Sequence, residues 1–578
     1  MTGLSTGLST GLSHDAAAAH LTASDPRFAV TTATIRGVEY RVFRNAPPHV
    51  PALFRDARSA HDDGAADFLV FRDERWSYDA FAGDVSALAD ALARECGVGP
   101  GMRVCLAMRN MPEMLVLMLA IASLGGVVVF LNAWWTTEEL DYALEDTGAQ
   151  LVFADAERAA RLAPLGPRRG LRIITARTEE NGAYDGCYDA LLKSGNRAFR
   201  PDPAIAPDDD FAIMYSSGTT SRPKGVVLTH RGAVNAVYTW LMQAEMGPLI
   251  TPPAADAPPP RRPVTLIVTP LFHVTASHPM FLLGMAAGAK TVLMAKWDAE
   301  EAVTLIEAEA VTRFLGVPTQ TADLRQAAKR RGAKLETLEF LGSGGAKRPP
   351  AQVAELADAF PQSNVATGWG MTETNANGIG MAGPDYLARP GSAGRLYPPV
   401  QELRFLDEAG RDVAPGEIGE ITVKSPCNMR CYLNKPEATA EVLNDGWLRT
   451  GDLGWIDAEG FVTIVDRKKN IVIRGGENIA CLDVEAALHR HPAVAEACAF
   501  AVPHPRLGEV VGAQVSLHPG QSVDAPALQA FLRDHIAHFK IPEHLWFVTG
   551  PLPRGATDKF DRRGIREACL KSLAQQPA

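Results

Sequence analysis

The sequence has no block of lysines and arginines long enough to form a basic surface. Its 57 Lys and Arg residues are outnumbered by 67 Asp and Glu residues, and the formal net charge is −10. A nucleic-acid-binding protein needs such a basic surface, so this class of protein is excluded. Binding of an anionic nucleotide remains open, because a local site can be basic within an acidic protein. At 578 residues the chain is too long for one hydrophobic core, and three or more packed units are expected.

Cysteine pairs with the spacing of a zinc site are also missing. The eight cysteines are scattered, and only Cys427 and Cys431 are close in sequence, with no second pair beside them. This pattern is typical of reduced thiols in an intracellular enzyme, and it predicts a cytoplasmic location.

The first residues contain neither the basic nor the long apolar segment of a secretion signal. They repeat Thr-Gly-Leu-Ser three times before a short alanine run, and this low complexity predicts a disordered tail over residues 1–30. The uncharged run at residues 114–131 reaches the lower length limit of a membrane span. Because Gly125 and Gly126 divide it and three valines follow, we predict a buried helix, a glycine stop and a buried strand.

What the sequence does contain is a long alternation of helical stretches and short apolar strands. Strands are predicted at residues 211–215, 265–269, 290–294, 313–315 and 338–341, with helices between them at 300–310 and 320–331. Such alternation predicts an α/β fold with layered, mostly parallel sheets and helices on both faces, here in a large domain over residues 31–465. From Asp466 the pattern changes, and a small α+β domain is predicted over residues 466–578.

The most informative segment is Tyr215-Ser-Ser-Gly-Thr-Thr-Ser-Arg-Pro-Lys-Gly225, which lies between two apolar runs. Glycine lets the backbone approach a ligand closely. Hydroxyl and backbone N–H groups donate to phosphate oxygens, and Lys224 adds a positive charge. The order of strand, loop and lysine therefore predicts a phosphate-binding loop. It is not a Walker A loop, because Gly225 follows the lysine where Ser or Thr would be needed.

This loop resembles the phosphate-loop signature of the adenylate-forming (AMP-binding) superfamily, which contains acyl-CoA synthetases, firefly luciferase and the adenylation domains of peptide synthetases. Other segments are similar to the family's motifs and occur in the family's order over about residues 75–565: Arg75-Trp-Ser-Tyr-Asp, Leu271-Phe-His-Val, Gly368-Trp-Gly-Met-Thr-Glu-Thr374, Gly419-Glu-Ile, Trp447-Leu-Arg-Thr-Gly-Asp452, Asp466-Arg-Lys-Lys, Gly475-Gly-Glu-Asn-Ile and a late lysine, Lys559. The chain is identified as a member of this superfamily, in its acyl-CoA synthetase (fatty-acid–CoA ligase) branch.

The resemblance implies an AMP-forming acid–thiol ligase whose reaction has two halves. A carboxylate attacks the α-phosphorus of ATP and expels pyrophosphate, and the acyl group of the adenylate then passes to coenzyme A. The implied cofactors are ATP and Mg²⁺, with coenzyme A as a substrate. Because both reactants of the first half are anions, positioning and positive charge must supply most of the catalysis.

The resemblance also implies which residues form the site. Glu373, helped by Thr219, is the implied ligand of Mg²⁺, a cation that prefers oxygen ligands. Thr372 contacts the α-phosphate, while Asp452 and Arg467 bind the ribose, since an ionised carboxylate accepts hydrogen bonds from both hydroxyls. The implied ATP and AMP contacts are Ser216, Ser217, Gly218, Thr219, Thr220, Lys224, Gly344, Gly345, Ala346, Gly368, Trp369, Gly370, Met371, Thr372, Asp452, Arg467 and Lys559.

Four of the implied residues belong to a small domain that turns between the two half-reactions. Lys559 is the mobile lysine that bridges carboxylate and phosphates during adenylation. Asp466 is the hinge, a position that absorbs a large backbone change. After the turn, the loop at Gly475 and Gly476 lines the tunnel for the pantetheine arm of coenzyme A.

The acid is the least defined partner. His273, in Leu271-Phe-His-Val, is implied as a catalytic residue at the edge of the acyl pocket, where amino-acid-activating relatives tend to carry an aspartate. No aspartate is present, and the helix predicted at residues 278–287 is apolar. A medium- or long-chain fatty acid or a similar apolar acid is therefore favoured, with an aryl or terpenoid acid as the alternative.

Several other functions stay open. The short segment after Lys559 does not predict a fused carrier domain, but an acyl-AMP ligase that loads a separate carrier protein remains an alternative. A luciferase-like oxygenase could use the same fold. A non-catalytic nucleotide-binding protein is disfavoured, because Lys559, Glu373 and Asp452 are all present. The expected partners are the small molecules alone, without nucleic acid or a membrane span, although a homodimer and peripheral membrane association are compatible with the sequence.

Overall fold

The computed structural model describes residues 11–178, 184–201, 203–216, 223–254, 256, 259–474, 477–555 and 559–575. The chain divides into two compact units. The first contains Met1–Arg389, Arg395–Glu402 and Val423–Leu448, and the second contains Pro390–Gly394, Leu403–Thr422 and Arg449–Ala578. The second unit includes residues ahead of Asp466, and the domain boundary at that residue stays a prediction.

One sheet of the first unit has seven strands among the described residues. Their order is Cys431–Tyr432, Lys224–Thr229, Asp210–Ser216, Val127–Phe130, Arg103–Ala107, Leu151–Asp155 and Arg172–Ala176. The last five are parallel to one another, and Lys224–Thr229 is antiparallel to both of its neighbours. Val127–Phe130 is buried throughout, as expected for a strand covered on both faces.

The second sheet of the first unit has nine described strands. Their order is Arg395–Leu396, Ile379–Ala382, Asn364–Trp369, Phe340–Ser343, Arg313–Gly316, Val264–Ile267, Lys290–Leu293, Asp67–Phe71 and Glu74–Ser77. The six from Asn364–Trp369 to Asp67–Phe71 are parallel, and the edge strands are antiparallel. A separate hairpin pairs Val30–Ile35 with Val38–Phe43.

The helices of the first unit cover these sheets. Tyr78–Cys96 begins after Ser77, whose side chain accepts the N–H of Ala80, and ends at Gly97 in the left-handed conformation with φ 66°. The other described helices are His14–Ser24, Val50–Asp56, Pro112–Ser123, Thr137–Thr147, Ala156–Leu162, Gly166–Arg169, Tyr188–Ser194, His230–Ile250, Val274–Ala276, Leu283–Ala286, Ala299–Glu309, Pro318–Arg331, Pro350–Ala359, Pro384–Ala388 and Pro436–Val442. The predicted α/β fold with layered parallel sheets is confirmed.

The uncharged run at residues 114–131 folds as its pattern predicts. Helix Pro112–Ser123 is buried along almost its whole length, Gly125 adopts φ 72°, and the strand Val127–Phe130 follows. Over the residues that the structure describes, none of the helices has both the length and the apolar character needed to cross a membrane.

The prediction of a disordered tail over residues 1–30 is wrong for the part that the structure describes. Residues His14–Ser24 form a helix whose Leu21 packs with Phe28, Met242 and Met246 in one apolar cluster. Alanine has the highest helix propensity of all residues, so the alanine run that looked like low complexity is also a strong helix former.

Two further sheets lie mainly in the second unit. In one, Glu402–Leu406, Gly419–Lys424 and Trp447–Ile456 lie side by side, and Val462–Arg467 pairs with Trp447–Ile456. In the other, the order is Glu477–Ala480, Ile471–Arg474, Gly508–Leu517 and Val494–His504, with His544–Val548 parallel to Gly508–Leu517. Its described helices are Cys481–Leu488, Ala525–Arg533 and Arg562–Ala574. This mixture of helices and mainly antiparallel strands is the predicted α+β character.

Candidate active site

The two ends of the predicted phosphate loop lie side by side. Ser216 and Lys224 are direct partners in the antiparallel pair that flanks the loop. The strand before the loop is anchored by Tyr215, whose hydroxyl donates to Asp146 Oδ2 at 3.0 Å and whose ring meets Trp135 edge-on at 5.2 Å. The predicted contacts Ser217, Gly218, Thr219 and Thr220 lie outside the described residues. The hairpin therefore presents Lys224 and Ser216 together.

The predicted magnesium ligand Glu373 lies in a tight turn after the strand Asn364–Trp369. Residues Thr372–Thr374 form one 3₁₀ turn, and Asn375 reverses the chain with φ 53°. Gly370 permits this reversal, because a Cβ at that position would lie 2.3 Å from the carbonyl oxygen of Ala376. Glu373 is only 5% exposed, so the turn holds a carboxylate in a largely buried position.

Tyr432 connects the predicted magnesium ligand with the lysine of the predicted phosphate loop. Its hydroxyl donates to Glu373 Oε1 at 2.9 Å, and the Lys224 ammonium lies 4.7 Å from the centre of its ring. The pairing of Cys431–Tyr432 with the strand Lys224–Thr229 fixes this arrangement. A backbone hydrogen bond also connects the segments that contain Tyr432 and Glu373, since the N–H of Met429 donates to the carbonyl of Glu373 at 2.7 Å. The structure thus brings Lys224 and Glu373 together through a residue that sequence reasoning missed.

The predicted wall beside adenine lies at the carboxyl ends of neighbouring parallel strands, where α/β proteins bind ligands. Gly344 follows the strand Phe340–Ser343, and a Cβ on it would lie 3.4 Å from the carbonyl oxygen of Gly368. Behind this wall, buried Arg348 donates from Nε to Ser343 Oγ at 3.0 Å. The predicted members Gly345, Ala346, Trp369, Gly370 and Met371 belong to the same two strand ends.

Asp452 and Arg467, the predicted ribose contacts, form an ion pair within the second unit. They are opposite each other on paired strands, and Arg467 Nε lies 3.0 Å from Asp452 Oδ1. Asp452 is 4% exposed, and its N–H donates to Thr450 Oγ1 at 3.1 Å. The structure brings these two residues together as the motifs predicted, with the carboxylate held in a fixed orientation.

Asp466, the predicted hinge, is almost fully buried within the second unit. Its carboxylate accepts the N–H of Arg467 at 2.6 Å, the N–H of Leu482 at 2.9 Å and the side chain of Asn470 at 3.3 Å. Burial raises the pKa of this carboxyl group, and the two backbone hydrogen bonds oppose that rise. In this conformation Asp466 anchors the start of the helix Cys481–Leu488.

The other predicted site residues of the second unit are Lys559, Gly475 and Gly476. Lys559 is exposed, and its carbonyl accepts the N–H of Gly555 at 2.8 Å, which closes the short loop that carries it. Gly475 and Gly476 lie outside the described residues, so the coenzyme A tunnel stays a prediction.

His273 lies at the start of a buried segment, and its ring contacts that of Phe272 in a tilted arrangement, with 4.5 Å between ring centres. The helix predicted at residues 278–287 is only partly α-helical, which corrects that prediction. Residues Ser277–Leu282 form a π-helical turn, and only Leu283–Ala286 is α-helical. Pro279 lies inside the turn and cannot donate a backbone hydrogen bond, which accounts for the irregular geometry.

The residues present fit a magnesium ion that is held largely by phosphate and water. Glu373 Oε1 accepts from Tyr432, and Oε2 has no hydrogen-bond donor among the described residues. No group of three or more His, Cys, Asp or Glu side chains lies together in that part of the chain. A single oriented carboxylate suits Mg²⁺, which usually keeps several waters and bridges phosphates.

Known proteins are similar to this chain over most of its length. The family model for AMP-binding enzymes matches residues 54–433, and the model for their C-terminal domain matches residues 483–559. A feruloyl-CoA synthase from an Amycolatopsis species is 35% identical over 485 residues, 83% of this chain and 91% of the relative. A long-chain-fatty-acid–CoA ligase from Bacillus subtilis is 30% identical, over 91% of this chain and 97% of its own. ATP-bound MatB from Rhodopseudomonas palustris superposes with a TM-score of 0.79 at 27% identity, over 91% and 99% of the two chains.

The α/β sheets and the lysine–carboxylate site define a nucleotide-dependent enzyme. The chain belongs to the family of AMP-binding enzymes, and the predicted membership in the CoA ligase branch of the adenylate-forming superfamily is confirmed. It is an AMP-forming acid–CoA ligase that uses ATP, Mg²⁺ and coenzyme A, as predicted.

The contact between Tyr432 and Glu373 gives the first testable prediction. In Tyr432→Phe, Glu373 loses the donor that orients its carboxylate, and we expect kcat/KM to fall about 10- to 100-fold, the range for one lost hydrogen bond to a charged group. Half-maximal activity should also need more Mg²⁺, which a magnesium titration of pyrophosphate release measures. Tyr188→Phe, at a buried tyrosine on the helix Tyr188–Ser194, is the control. An unchanged magnesium requirement in Tyr432→Phe would contradict the assignment.

Proposed function

We propose that this ligase activates a medium- or long-chain fatty acid or a similar apolar acid. The observation that carries the proposal is the buried segment after His273, in which Val274, Met280, Phe281 and Leu282 contribute to the main apolar cluster. A substrate that packs beside such a segment needs an apolar body, because burying an unpaired charge is strongly unfavourable.

The single ionisable side chain of this segment does not change that character. Burial lowers the pKa of His278 to about 4, so its ring is neutral at pH 7, and its Nδ1 lies 2.9 Å from Ser277 Oγ. Among the described residues 274–286 there is no carboxylate to pair with a substrate amine. This favours an acid without an α-amino group over an amino acid.

We assign the chemistry of the first half-reaction to the residues named above. Lys224 contacts the pyrophosphate side of ATP, and Thr372 contacts the α-phosphate. Glu373 holds Mg²⁺, which when bound neutralises phosphate charge and so favours attack by an anion. Asp452 and Arg467 orient the ribose, while Lys559 supplies positive charge between the carboxylate and the phosphates. Ser217, Gly218, Thr219 and Thr220 complete the phosphate contacts in this proposal, with Thr219 beside the metal.

An aryl acid is the second candidate, and a specific observation favours it. The relative with 35% identity is a feruloyl-CoA synthase, and ferulate is an aryl acid. The partly exposed ring of His273, which contacts the buried ring of Phe272, provides aromatic surface for such a substrate at the start of the buried segment. A cytoplasmic location remains part of the proposal, in agreement with the scattered cysteines.

The test is pyrophosphate release across a panel of acids, each with and without coenzyme A. We expect octanoate, palmitate or ferulate to give release above background, while glycine and alanine give none. Addition of coenzyme A should convert the adenylate to a thioester, detected by mass spectrometry. Release that no apolar acid supports, or release with amino acids alone, would contradict the proposed substrate class. Release without thioester formation would favour a carrier-protein acceptor.

A further inference from the structure

The buried cation Arg313 is not used by any step described so far. It begins the strand Arg313–Gly316 of the nine-stranded sheet, and its guanidinium lies 4.0 Å from the centre of the Phe340 ring. Nε is buried and has no hydrogen-bond partner, and no carboxylate lies within ion-pair distance among the described residues. Burial lowers the pKa of Arg313 to about 10, so the side chain still carries its charge at neutral pH.

Tyr397 follows the edge strand Arg395–Leu396, whereas Arg313 lies on a central strand of the same sheet. Its N–H donates to the carbonyl of Gly378 at 3.0 Å, and its side chain crosses Gly380, where a Cβ would lie 1.8 Å from the phenol oxygen. The hydroxyl makes no hydrogen bond with the part of the chain that the structure describes, and it is near enough to Arg313 to interact electrostatically. Burial raises the pKa of Tyr397 to about 12, so it stays a neutral donor.

Small residues on the sheet make room for the side chains that pack over them. Leu315 pairs with Gly342, and Gly342 pairs with Ala366, so these three form one row across the sheet. The next row toward the carboxyl ends holds Gly368 and Gly380, which are direct partners. A Cβ on Gly342 would lie 2.6 Å from the Phe340 ring and 2.8 Å from Leu315, which places all of these residues on one face.

Arg313 and Tyr397 together are here called the distal polar patch. This patch lies on the face of the sheet that extends from the adenine wall toward the amino ends of the strands. Gly342 and Phe340 precede Gly344 by two and four residues along one strand. At about 3.3 Å per residue, Gly342 lies about 7 Å behind Gly344 along the strand, and Phe340, the direct partner of Arg313, lies about 13 Å behind it. The Tyr397 hydroxyl lies over Gly380, the partner of Gly368, and is therefore nearer to the wall. Tyr397 and Leu315 also pack against the apolar cluster that contains residues 274–285. An acid whose carboxylate lies beside Gly344 and Gly368 must extend over this distance to reach the distal polar patch.

A buried guanidinium with unused donors is costly unless an acceptor satisfies it. We propose that Arg313 and Tyr397 bind an oxygen acceptor at the far end of the acid, so that the enzyme selects acids that are apolar in the middle and oxygenated at both ends. The inference rests on the proposed function, because it places the activated carboxylate beside the adenine wall. A carboxylate, a ketone and a phenol all supply this acceptor, and the charge of Arg313 favours the carboxylate.

The experiment compares acids that differ only at the far end. Pyrophosphate release is measured with octanoate against octanedioate, octanoate against 7-oxooctanoate, and 3-phenylpropanoate against 3-(4-hydroxyphenyl)propanoate. We expect the preferred oxygenated acid to have a kcat/KM about 10- to 100-fold above that of its plain partner, as for a hydrogen bond to a charged group. Arg313→Met should abolish this preference and change kcat/KM for the plain partner by less than about threefold.

Arg330→Met, at an exposed arginine on the helix Pro318–Arg331, is the matched control and should keep the preference. Titration calorimetry with octanedioate and octanoate measures the same preference without turnover. Equal kcat/KM within every pair in the wild-type enzyme would overturn the proposal, as would a preference retained in Arg313→Met. Tyr397→Phe should lower the preference about 3- to 10-fold, and it provides the test if Arg313→Met does not fold. If only the plain acids support pyrophosphate release, this inference is overturned and the proposed function is unaffected. If no acid supports pyrophosphate release, the proposed function itself is contradicted.

Discussion

The Lys559→Ala variant is expected to form acyl-adenylate about 100-fold or more slowly than the parent enzyme, the range found when one charge-stabilising group is removed from an active site. The physical reason is that two anions must meet during adenylation, and in the proposed mechanism Lys559 supplies positive charge between them. The second half-reaction has no such requirement, because pyrophosphate has already left. Formation of the thioester from supplied acyl-AMP should therefore change little.

The two halves are measured separately. Exchange of labelled pyrophosphate into ATP reports adenylation, and thioester formation from synthetic acyl-AMP and coenzyme A reports the second half. Lys571→Ala removes an exposed lysine from the neighbouring helix Arg562–Ala574 and should leave both rates unchanged. If Lys559→Ala lowered the rates of both half-reactions equally, the prediction that Lys559 acts in adenylation alone would be refuted.

Helices and strands were predictable from the sequence where the local apolar pattern agrees with the burial of the side chains. The strand predicted at residues 211–215 is Asp210–Ser216, and the helix predicted at residues 320–331 is Pro318–Arg331. The segment after His273 departed from prediction because Pro279 converts one turn to π geometry, which apolar periodicity does not reveal. The helix His14–Ser24 was missed because a repetitive sequence suggested disorder, whereas its buried face packs against residues more than two hundred positions away.

The residues of the site were predictable from the sequence only where they lie within a family motif. Motif resemblance selected Glu373, Lys224, Asp452 and Arg467, and the structure brings these together in pairs within each unit. Tyr432 was missed because its role depends on pairing between strands that are far apart in sequence. The one available signal was its position next to Cys431, a residue considered only as a metal ligand.

The distal polar patch shows a further limit of sequence reasoning. Arg313 was seen only as the start of a strand, and an arginine at a strand end is ordinarily solvated. Its burial follows from register, since Gly342, Ala366 and Gly380 leave room for Arg313 and Tyr397 on one face. Register between parallel strands is a tertiary property, so the contact could not be predicted from local sequence.

The Glu373→Gln variant is expected to lower the rate of adenylation by about 100- to 1,000-fold, because it removes the buried carboxylate that we propose as the ligand of Mg²⁺. Glutamine has nearly the same shape, and its carbonyl oxygen can still accept the hydrogen bond from Tyr432. The Met429 N–H bonds to the backbone carbonyl of residue 373, so the turn should keep its structure. The loss is thus expected in activity and in magnesium dependence, with little change in thermal stability.

Pyrophosphate release over a series of Mg²⁺ concentrations, together with a thermal melt, separates these effects. Glu355→Gln, at an exposed glutamate on the helix Pro350–Ala359, is the matched control and should behave as wild type. Because the carboxylate charge acts on the metal directly and Tyr432 acts only through the carboxylate, Tyr432→Phe should shift the magnesium dependence in the same direction by a smaller amount. A Glu373→Gln enzyme with a normal melt and normal magnesium dependence would show that the metal is held elsewhere, and the Tyr432 effect would then need another cause.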